Sequence, residues 1–248
     1  SKRIQFVTMD ANLPIWTPLS VDISSSNLSS FKEFVTNKTG NKFENYKDFH
    51  YWSVNELSDF WECIALFFKI NFSKPYNYIL RSKKPFYKAE WFGNSMLSYV
   101  KHIERNFKTK ENAILYRNEK EEDTCITWNS LFLKASEIKN ELLNEGVKKG
   151  DCVVGYLSNH PITIAAFLAT NSIGAVWSCC SPDFGTESVI SRVGQLKPTV
   201  LIAIREYSYN GKKYSLLERV ELIKKAIPTI KTILYFETDF GSWNLNTE

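Results

Sequence analysis

The chain lacks the spacings from which metal and disulfide sites are built. Its five cysteines, Cys63, Cys125, Cys152, Cys179 and Cys180, are an odd number with no Cys-x-x-Cys pair. That usage fits a reduced intracellular protein, not a disulfide framework, and argues against structural zinc. The three histidines, His50, His102 and His160, have no partner one helical turn away, so a metal pair carried on one helix is excluded. No apolar run approaches the roughly 20 residues needed to span a bilayer; the longest, Ile64 to Ile70, is broken by Lys69. The N-terminus reads Ser1-Lys2-Arg3-Ile4 and soon reaches Asp10 and Pro14, without the apolar segment of a signal peptide. The expectation is a soluble cytoplasmic protein with no membrane partner.

Nucleotide and nucleophile motifs are missing as well. There is no Gly-x-x-x-x-Gly-Lys-Ser/Thr loop, and the apolar run from Cys152 continues into Gly155-Tyr156-Leu157-Ser158-Asn159-His160 instead of Gly-x-Gly-x-x-Gly. P-loop and dinucleotide readings lose their support, and without a Gly-x-Ser-x-Gly elbow so does a serine hydrolase. His160, just before Pro161, fits a helix start better than a catalytic base. Charge is not concentrated either. The 31 basic and 27 acidic residues give a formal +4, with lysines in scattered pairs such as Lys83-Lys84, Lys148-Lys149 and Lys224-Lys225. That is a solvated surface and not a nucleic-acid stripe.

What is present is core-forming material: 44% of the 248 residues are hydrophobic and 15% aromatic, enough for one large domain or two smaller ones. Residues 1–110 are dense in aromatics without regular strand-helix alternation, and read as a mainly helical N-terminal extension. Leu28, Phe31, Phe34 and Val35 recur at helical spacing, predicting a helix from about Asn27 to Lys38. Ser53 and Glu56 form a capping-box pattern ahead of Leu57, Phe60, Trp61, Ile64 and Phe67, predicting a second from Val54 to about Lys69. These aromatics read as core packing and not as a cofactor site.

Residues 111–248 have a different texture. Asn112 to Arg117 and Thr124 to Trp128 flank the charged turn Asn118 to Asp123 and predict a hairpin. Leu131, Ala135, Ile138 and Leu142 mark a helix ending at Gly146. From Cys152 the order is regular: strand 152–157, helix 162–172, strand 175–178, helix 186–196, strand 199–204, helix 216–226 and strand 232–236. Continuous apolar strands separated by helices imply an α/β fold, with a mostly parallel sheet and helices on both faces. Each crossover should be right-handed. The tail Asp239 to Glu248 is polar and expected to be loosely held.

The segment Gly174-Ala175-Val176-Trp177-Ser178-Cys179-Cys180-Ser181-Pro182-Asp183-Phe184-Gly185 runs from a helix end through a short strand into a sharply bent loop. In open α/β sheets ligands sit at such carboxyl ends. With Thr127-Trp128-x-x-Leu131, Gly146-Val147-Lys148-Lys149-Gly150-Asp151-Cys152-Val153, Ile164 to Ala169 and Ile173-Gly174-Ala175-Val176 in order before it, the pattern resembles the N-terminal half of an acyl-CoA synthetase large domain. Trp177 to Gly185 is similar to the acetoacetyl-CoA synthetase branch of this adenylate-forming family. Phe60-Trp61 and Trp91-Phe92 with Leu97-Ser98-Tyr99 resemble its N-terminal extension, so the likeness covers nearly the whole chain. Ser98 departs from the family's Asn, which puts that residue's polar contact in doubt.

The resemblance implies acetoacetate, ATP and CoA as small-molecule substrates, with Mg²⁺, and an acyl-adenylate that CoA thiol converts to the thioester. Tyr209-Asn210-Gly211-Lys212 resembles a turn whose counterpart in the related acetyl-CoA synthetases approaches the phosphate end of CoA. A glycine turn can offer backbone N–H groups while Lys212, helped by Lys213, supplies charge. Asp183 has two readings, as a cap for the helix near Thr186 or, with Phe184, as a wall beside the pantetheine arm. Trp177 reads as a core plug and Cys179-Cys180 as two small buried hydrophobes. The family's Ser/Thr/Gly-rich loop with its phosphate-binding Lys does not occur among the 248 residues. The chain by itself is therefore expected to be an inactive incomplete domain. Acetate or propionate as the acid, and a non-catalytic CoA- or partner-binding remnant, stand as alternatives.

Overall fold

The computed structural model describes residues 16–105, 107–108, 110–118 and 121–236, together with the backbone of 245–247. It divides into two compact units, one ending at Ser95 and one beginning at Met96.

The first unit carries four helices, α1 (Ser20–Ser24), α2 (Asn27–Thr39), α3 (Tyr46–Asn55) and α4 (Leu57–Phe67), then the short strands β1 (Phe72–Lys74), β2 (Tyr78–Arg81) and β3 (Glu90–Gly93). The Ser26 hydroxyl accepts the Ser29 N–H at 3.1 Å to start α2, and the Asn45 side chain accepts the Asp48 N–H at 3.1 Å to start α3. Such caps satisfy amide groups that have no partner within the helix.

The Ser53/Glu56 capping box does not form. Ser53 lies inside α3, its hydroxyl donating to the His50 carbonyl at 2.8 Å. Glu56 interrupts the chain with φ −103° and ψ 59°, giving α4 no side-chain cap. The Asn45 cap starts α3, a helix the spacing does not predict, which takes in Ser53 and Val54, so the predicted helix begins later, at Leu57. Leu28 and Trp61 of the predicted apolar stripes stand exposed, whereas the phenylalanines pack as expected, Phe31 meeting Phe49, Phe60 and Phe67 edge-on at 5.8, 6.0 and 5.2 Å. Around them a cavity of about 340 Å³ opens, lined by Leu28, Phe31, Phe49, Phe60 and Ile64 among others.

The second unit begins with β4 (Met96–Leu97) and α5 (Tyr99–Glu104), then the antiparallel pair β5 (Asn112–Arg117) and β6 (Asp123–Thr127). Trp128, predicted as the end of a strand, instead opens α6 (Trp128–Asn144), because the Thr127 hydroxyl caps the Ser130 N–H at 3.2 Å. Past the end of α6, Gly146 takes φ 79°, and N–H groups of Val147 and Gly146 reach the Leu142 and Leu143 carbonyls at 2.9 and 3.0 Å. This is the Schellman closure that a left-handed glycine permits.

There follow β7 (Cys152–Tyr156), α7 (Pro161–Ile173), β8 (Val176–Cys180), α8 (Thr186–Gly194), β9 (Val200–Ile204), β10 (Glu206–Tyr209), β11 (Lys212–Ser215), α9 (Leu217–Ala226), β12 (Thr232–Phe236) and β13 (Leu245–Thr247). The main sheet has the order β13-β12-β9-β7-β8. Its pairs are parallel except β12 with β13. All five residues of β7 and of β9 are buried, which explains their unbroken apolar character.

The chain steps outward from β7 to β8, then returns past β7 to β9. With right-handed crossovers this reversal puts α7 and α8 on opposite faces, and α6 indeed packs with α7 while α8 packs with α9. A mostly parallel sheet flanked by helices is thus observed. Of the tail expected to be loosely held, residues 239–244 and 248 lie outside the described residues, while 245–247 pair with β12. The N-terminal segment searched for a signal peptide also lies outside them. Among the described residues no helix is long and apolar enough to cross a membrane.

Candidate functional site at the carboxyl edge of the sheet

The strand order reverses between β7 and β9, so their connections depart in opposite directions from the carboxyl edge, the place where ligands bind in open α/β sheets. The loop after β8 and the β10–β11 hairpin after β9 both spring from this edge.

The loop is a tight turn. Pro182 supplies the fixed φ of its second position, and the Phe184 N–H returns to the Ser181 carbonyl at 3.2 Å. It is held from beneath by Tyr156, the last residue of β7, which is fully buried. The Tyr156 hydroxyl lies 2.7 Å from the Phe184 carbonyl and 3.1 Å from the Pro182 carbonyl. Arg219 of α9 donates from Nη1 to the same Pro182 carbonyl at 3.2 Å. From the side, the Arg192 guanidinium covers the half-buried Phe184 ring at 4.4 Å. Burial pushes the Tyr156 phenol upward, and its hydrogen bond with Tyr156 raises the Arg219 guanidinium above the usual value.

The hairpin is set by its tip. Tyr209 pairs with Lys212, and the two residues between them, Asn210 and Gly211, have φ of 50° and 72°. Two successive left-handed residues make the type I′ turn that matches strand twist. Tyr207 and Tyr214 stack across the ladder at 5.3 Å, and the Leu216 N–H closes its base on the Arg205 carbonyl at 2.8 Å.

Several expectations change here. Asp183 does not cap α8: Gly185 occupies the N-cap position, no side chain bonds the first turn, and Asp183, two residues upstream, stands exposed. Lys213 pairs with Glu206 of the facing strand and is not free to assist Lys212, which has no ion-pair partner among the described residues. Cys179 is exposed while Cys180 is buried, because alternate residues of the edge strand β8 face opposite ways; burial raises the Cys180 thiol, which makes it inert. Trp177 packs on the core and closes over Gly155, where a Cβ would come within 2.9 Å of its ring. His160 caps α7 as read: its Nδ1 accepts the Ile162 N–H at 3.2 Å, and burial lowers it to about 4.

The tips differ in chemistry. Loop 181–185 offers an exposed carboxylate beside a half-buried ring, whereas the hairpin offers Tyr209, the Gly211 turn and the Lys212 cation. A phosphate fits the second and an uncharged chain the first. Among the described residues no three His, Cys, Asp or Glu side chains gather to hold a metal ion, and no step is assigned to a metal here. Tyr156, Arg192 and Arg219 are not marked by any sequence motif. Only Tyr156 carries a signal, since a hydroxyl in an otherwise apolar buried strand must find a partner.

Comparison with known proteins bears on this edge. The model of the family described as AMP-binding enzyme matches residues 103–248. Acetoacetyl-CoA synthetase of Macaca fascicularis is 35% identical over 223 residues, covering 89% of this chain and 33% of that protein. Acetoacetyl-coenzyme A synthetase of Rhizobium meliloti is 31% identical over 224 residues, 90% of this chain and 34% of that protein. The solved structure of acetoacetyl-CoA synthetase from Streptomyces lividans superposes with a TM-score of 0.85 at 33% identity, covering 90% of this chain and 35% of that one. The chain thus spans about a third of the length of these relatives.

Proposed function

Because the chain belongs to the AMP-binding enzyme family, we propose that it forms the N-terminal part of a ligase that joins acetoacetate to CoA. The observation that carries this reading is its likeness to acetoacetyl-CoA synthetases over 89% of its length. In such a reaction ATP converts an inert carboxylate to an acyl-adenylate with a good leaving group, and CoA thiol displaces AMP. Cationic groups and Mg²⁺ would stabilise the phosphoryl charge from parts of the protein other than the described residues.

On this reading, Lys212 with the Asn210-Gly211 turn and Tyr209 meets the phosphate end of CoA, and Phe184 with Asp183 walls the path of the pantetheine arm. Two physical features support it. Lys212 is an exposed cation beside the turn of a two-stranded hairpin, and the 181–185 loop is held at the same sheet edge by the buried Tyr156 hydroxyl. The reaction would take place in the cytoplasm.

The complete gene product, given ATP and CoA, is expected to release AMP with acetoacetate and far more slowly with acetate or propionate. Residues 1–248 alone should release none. Preference for acetate would transfer the protein to another branch, and no AMP from any of the three acids in the complete product would overturn the ligase reading.

A further inference from the structure

Tyr156 and Arg219 belong to neither of the segments proposed to meet CoA, yet both segments rest on them. We propose that the Tyr156 hydroxyl and the Arg219 guanidinium form a positioning clasp that makes the 181–185 loop and the 206–215 hairpin one binding unit. This inference rests on the ligand reading given above, but its structural half stands apart from it.

The hydroxyl of a fully buried tyrosine must be satisfied inside the protein. Tyr156 has one proton to give, and it lies nearest the Phe184 carbonyl at 2.7 Å, with the Pro182 carbonyl at 3.1 Å. Its oxygen can still accept, and the presence of this phenol raises the neighbouring Arg219 guanidinium. The Pro182 carbonyl meanwhile takes Arg219 Nη1 at 3.2 Å, filling both lone pairs if the tyrosine proton is shared. Arg219 stands in the first turn of α9 (Leu217–Ala226), which follows directly on β11 (Lys212–Ser215), so the outgoing strand of the hairpin leads into it. Tyr207 of β10, which stacks on Tyr214 across the hairpin, is among the groups that raise its guanidinium.

One cation at the root of the hairpin therefore holds a loop carbonyl after β8, the same carbonyl that the last residue of β7 reaches with its hydroxyl. Three connections that are remote in sequence share it. Hydrogen bonds that converge on one buried carbonyl reinforce one another, so removing either member should loosen both segments together. A ligand spanning the loop and the hairpin tip would then lose the fixed spacing it needs. Arg192, stacked on Phe184, grips only the loop.

The test uses the complete gene product and three variants. Tyr156→Phe removes the hydroxyl and keeps the ring; Arg219→Met removes charge and donors; Arg219→Lys keeps the charge and loses the fork. Amide hydrogen exchange without ligand should quicken about tenfold in 182–187 and in 207–214 alike for the first two, less for Arg219→Lys, and stay unchanged in α6. Quickening of one segment only, or of neither, overturns the clasp. If Arg219→Met loosens the whole sheet, Tyr156→Phe and Arg219→Lys carry the same comparison.

Titration with CoA forms the second arm. Affinity should fall about fivefold in Tyr156→Phe and recover partly from Arg219→Met to Arg219→Lys. Undiminished affinity in Tyr156→Phe, in a protein that does bind CoA, removes its positioning role. Failure of the unmodified protein to bind CoA contradicts the ligand reading instead, and the exchange pattern still decides the clasp.

Discussion

The two units solve the packing problem with different materials. The unit ending at Ser95 buries a small cluster, Phe31, Val35, Phe49, Trp52 and Cys63, joined by edge-on rings and bordered by a cavity of about 340 Å³. The unit from Met96 buries a long aliphatic cluster through β7, β9 and β12, where Val153, Leu201 and Leu234 are wholly inaccessible. Large flat rings fill irregular space between short helices at the cost of gaps, whereas branched aliphatic residues on parallel strands interdigitate closely. The second arrangement provides the rigid edge from which the candidate site is built.

That difference should appear first in truncations. Leu201→Ala, in the middle of the sheet, should cost about 4 kcal/mol, read as a lowered urea midpoint with unchanged slope. Such a cavity has no room to relax. A cost under about 1 kcal/mol would place the sheet on a par with a loosely packed surface.

His160 is expected to make the second unit acid-sensitive. Its folded value near 4 lies below the ordinary 6.5, so between these limits the unfolded chain takes up a proton that the folded chain refuses. Stability is full above pH 6.5 and falls by up to about 3 kcal/mol as pH drops to 4. His160→Asn, which retains a capping side chain, should remove this slope in urea midpoints measured from pH 7 to pH 4. An unchanged slope would assign the acid sensitivity elsewhere.

Smaller effects should come from the aromatic unit. Phe31→Leu keeps apolar bulk but loses three ring contacts, for about 2 kcal/mol by thermal melting. A loss as large as that of Leu201→Ala would erase the contrast between the units. Least of all should be Gly155→Ala, about 1 kcal/mol. Its new methyl meets the outer edge of Trp177, a ring on an edge strand that can shift, and tryptophan fluorescence should report the movement.

The contrast also explains what the sequence makes legible. Strands buried on both faces must be apolar throughout, so β7, β9 and β12 read directly as runs such as Val200 to Ile204. The glycine at 146 announces the end of α6 for an equally local reason. In the aromatic unit, spacing alone does not show that α3 precedes α4 and takes Ser53 from its expected cap position, because the deciding cap lies upstream at Asn45. The hairpin is hidden for another reason. Residues of β10 and β11 are nearly all exposed, leaving no alternation of apolar and polar positions, so only the Asn210-Gly211 turn betrays it.

At the candidate site, Tyr209 to Lys212 and Asp183-Phe184 are visible because they lie in continuous motifs. Tyr156, Arg192 and Arg219 are not, since they are brought together from β7, α8 and α9 by the order of strands. A local pattern cannot encode that meeting. The same logic corrects Asp183: its proximity to Thr186 suggests a cap, but the Ser181 to Phe184 turn hands that position to Gly185.

The central claim is that the carboxyl edge of this sheet receives CoA, with Lys212 at its phosphate end. It is tested most directly by calorimetric titration of CoA into the complete gene product and its Lys212→Ala variant. The account predicts saturable binding that weakens about tenfold when the exposed cation is removed, with an unchanged melting temperature. Equal affinity in the two proteins would contradict it.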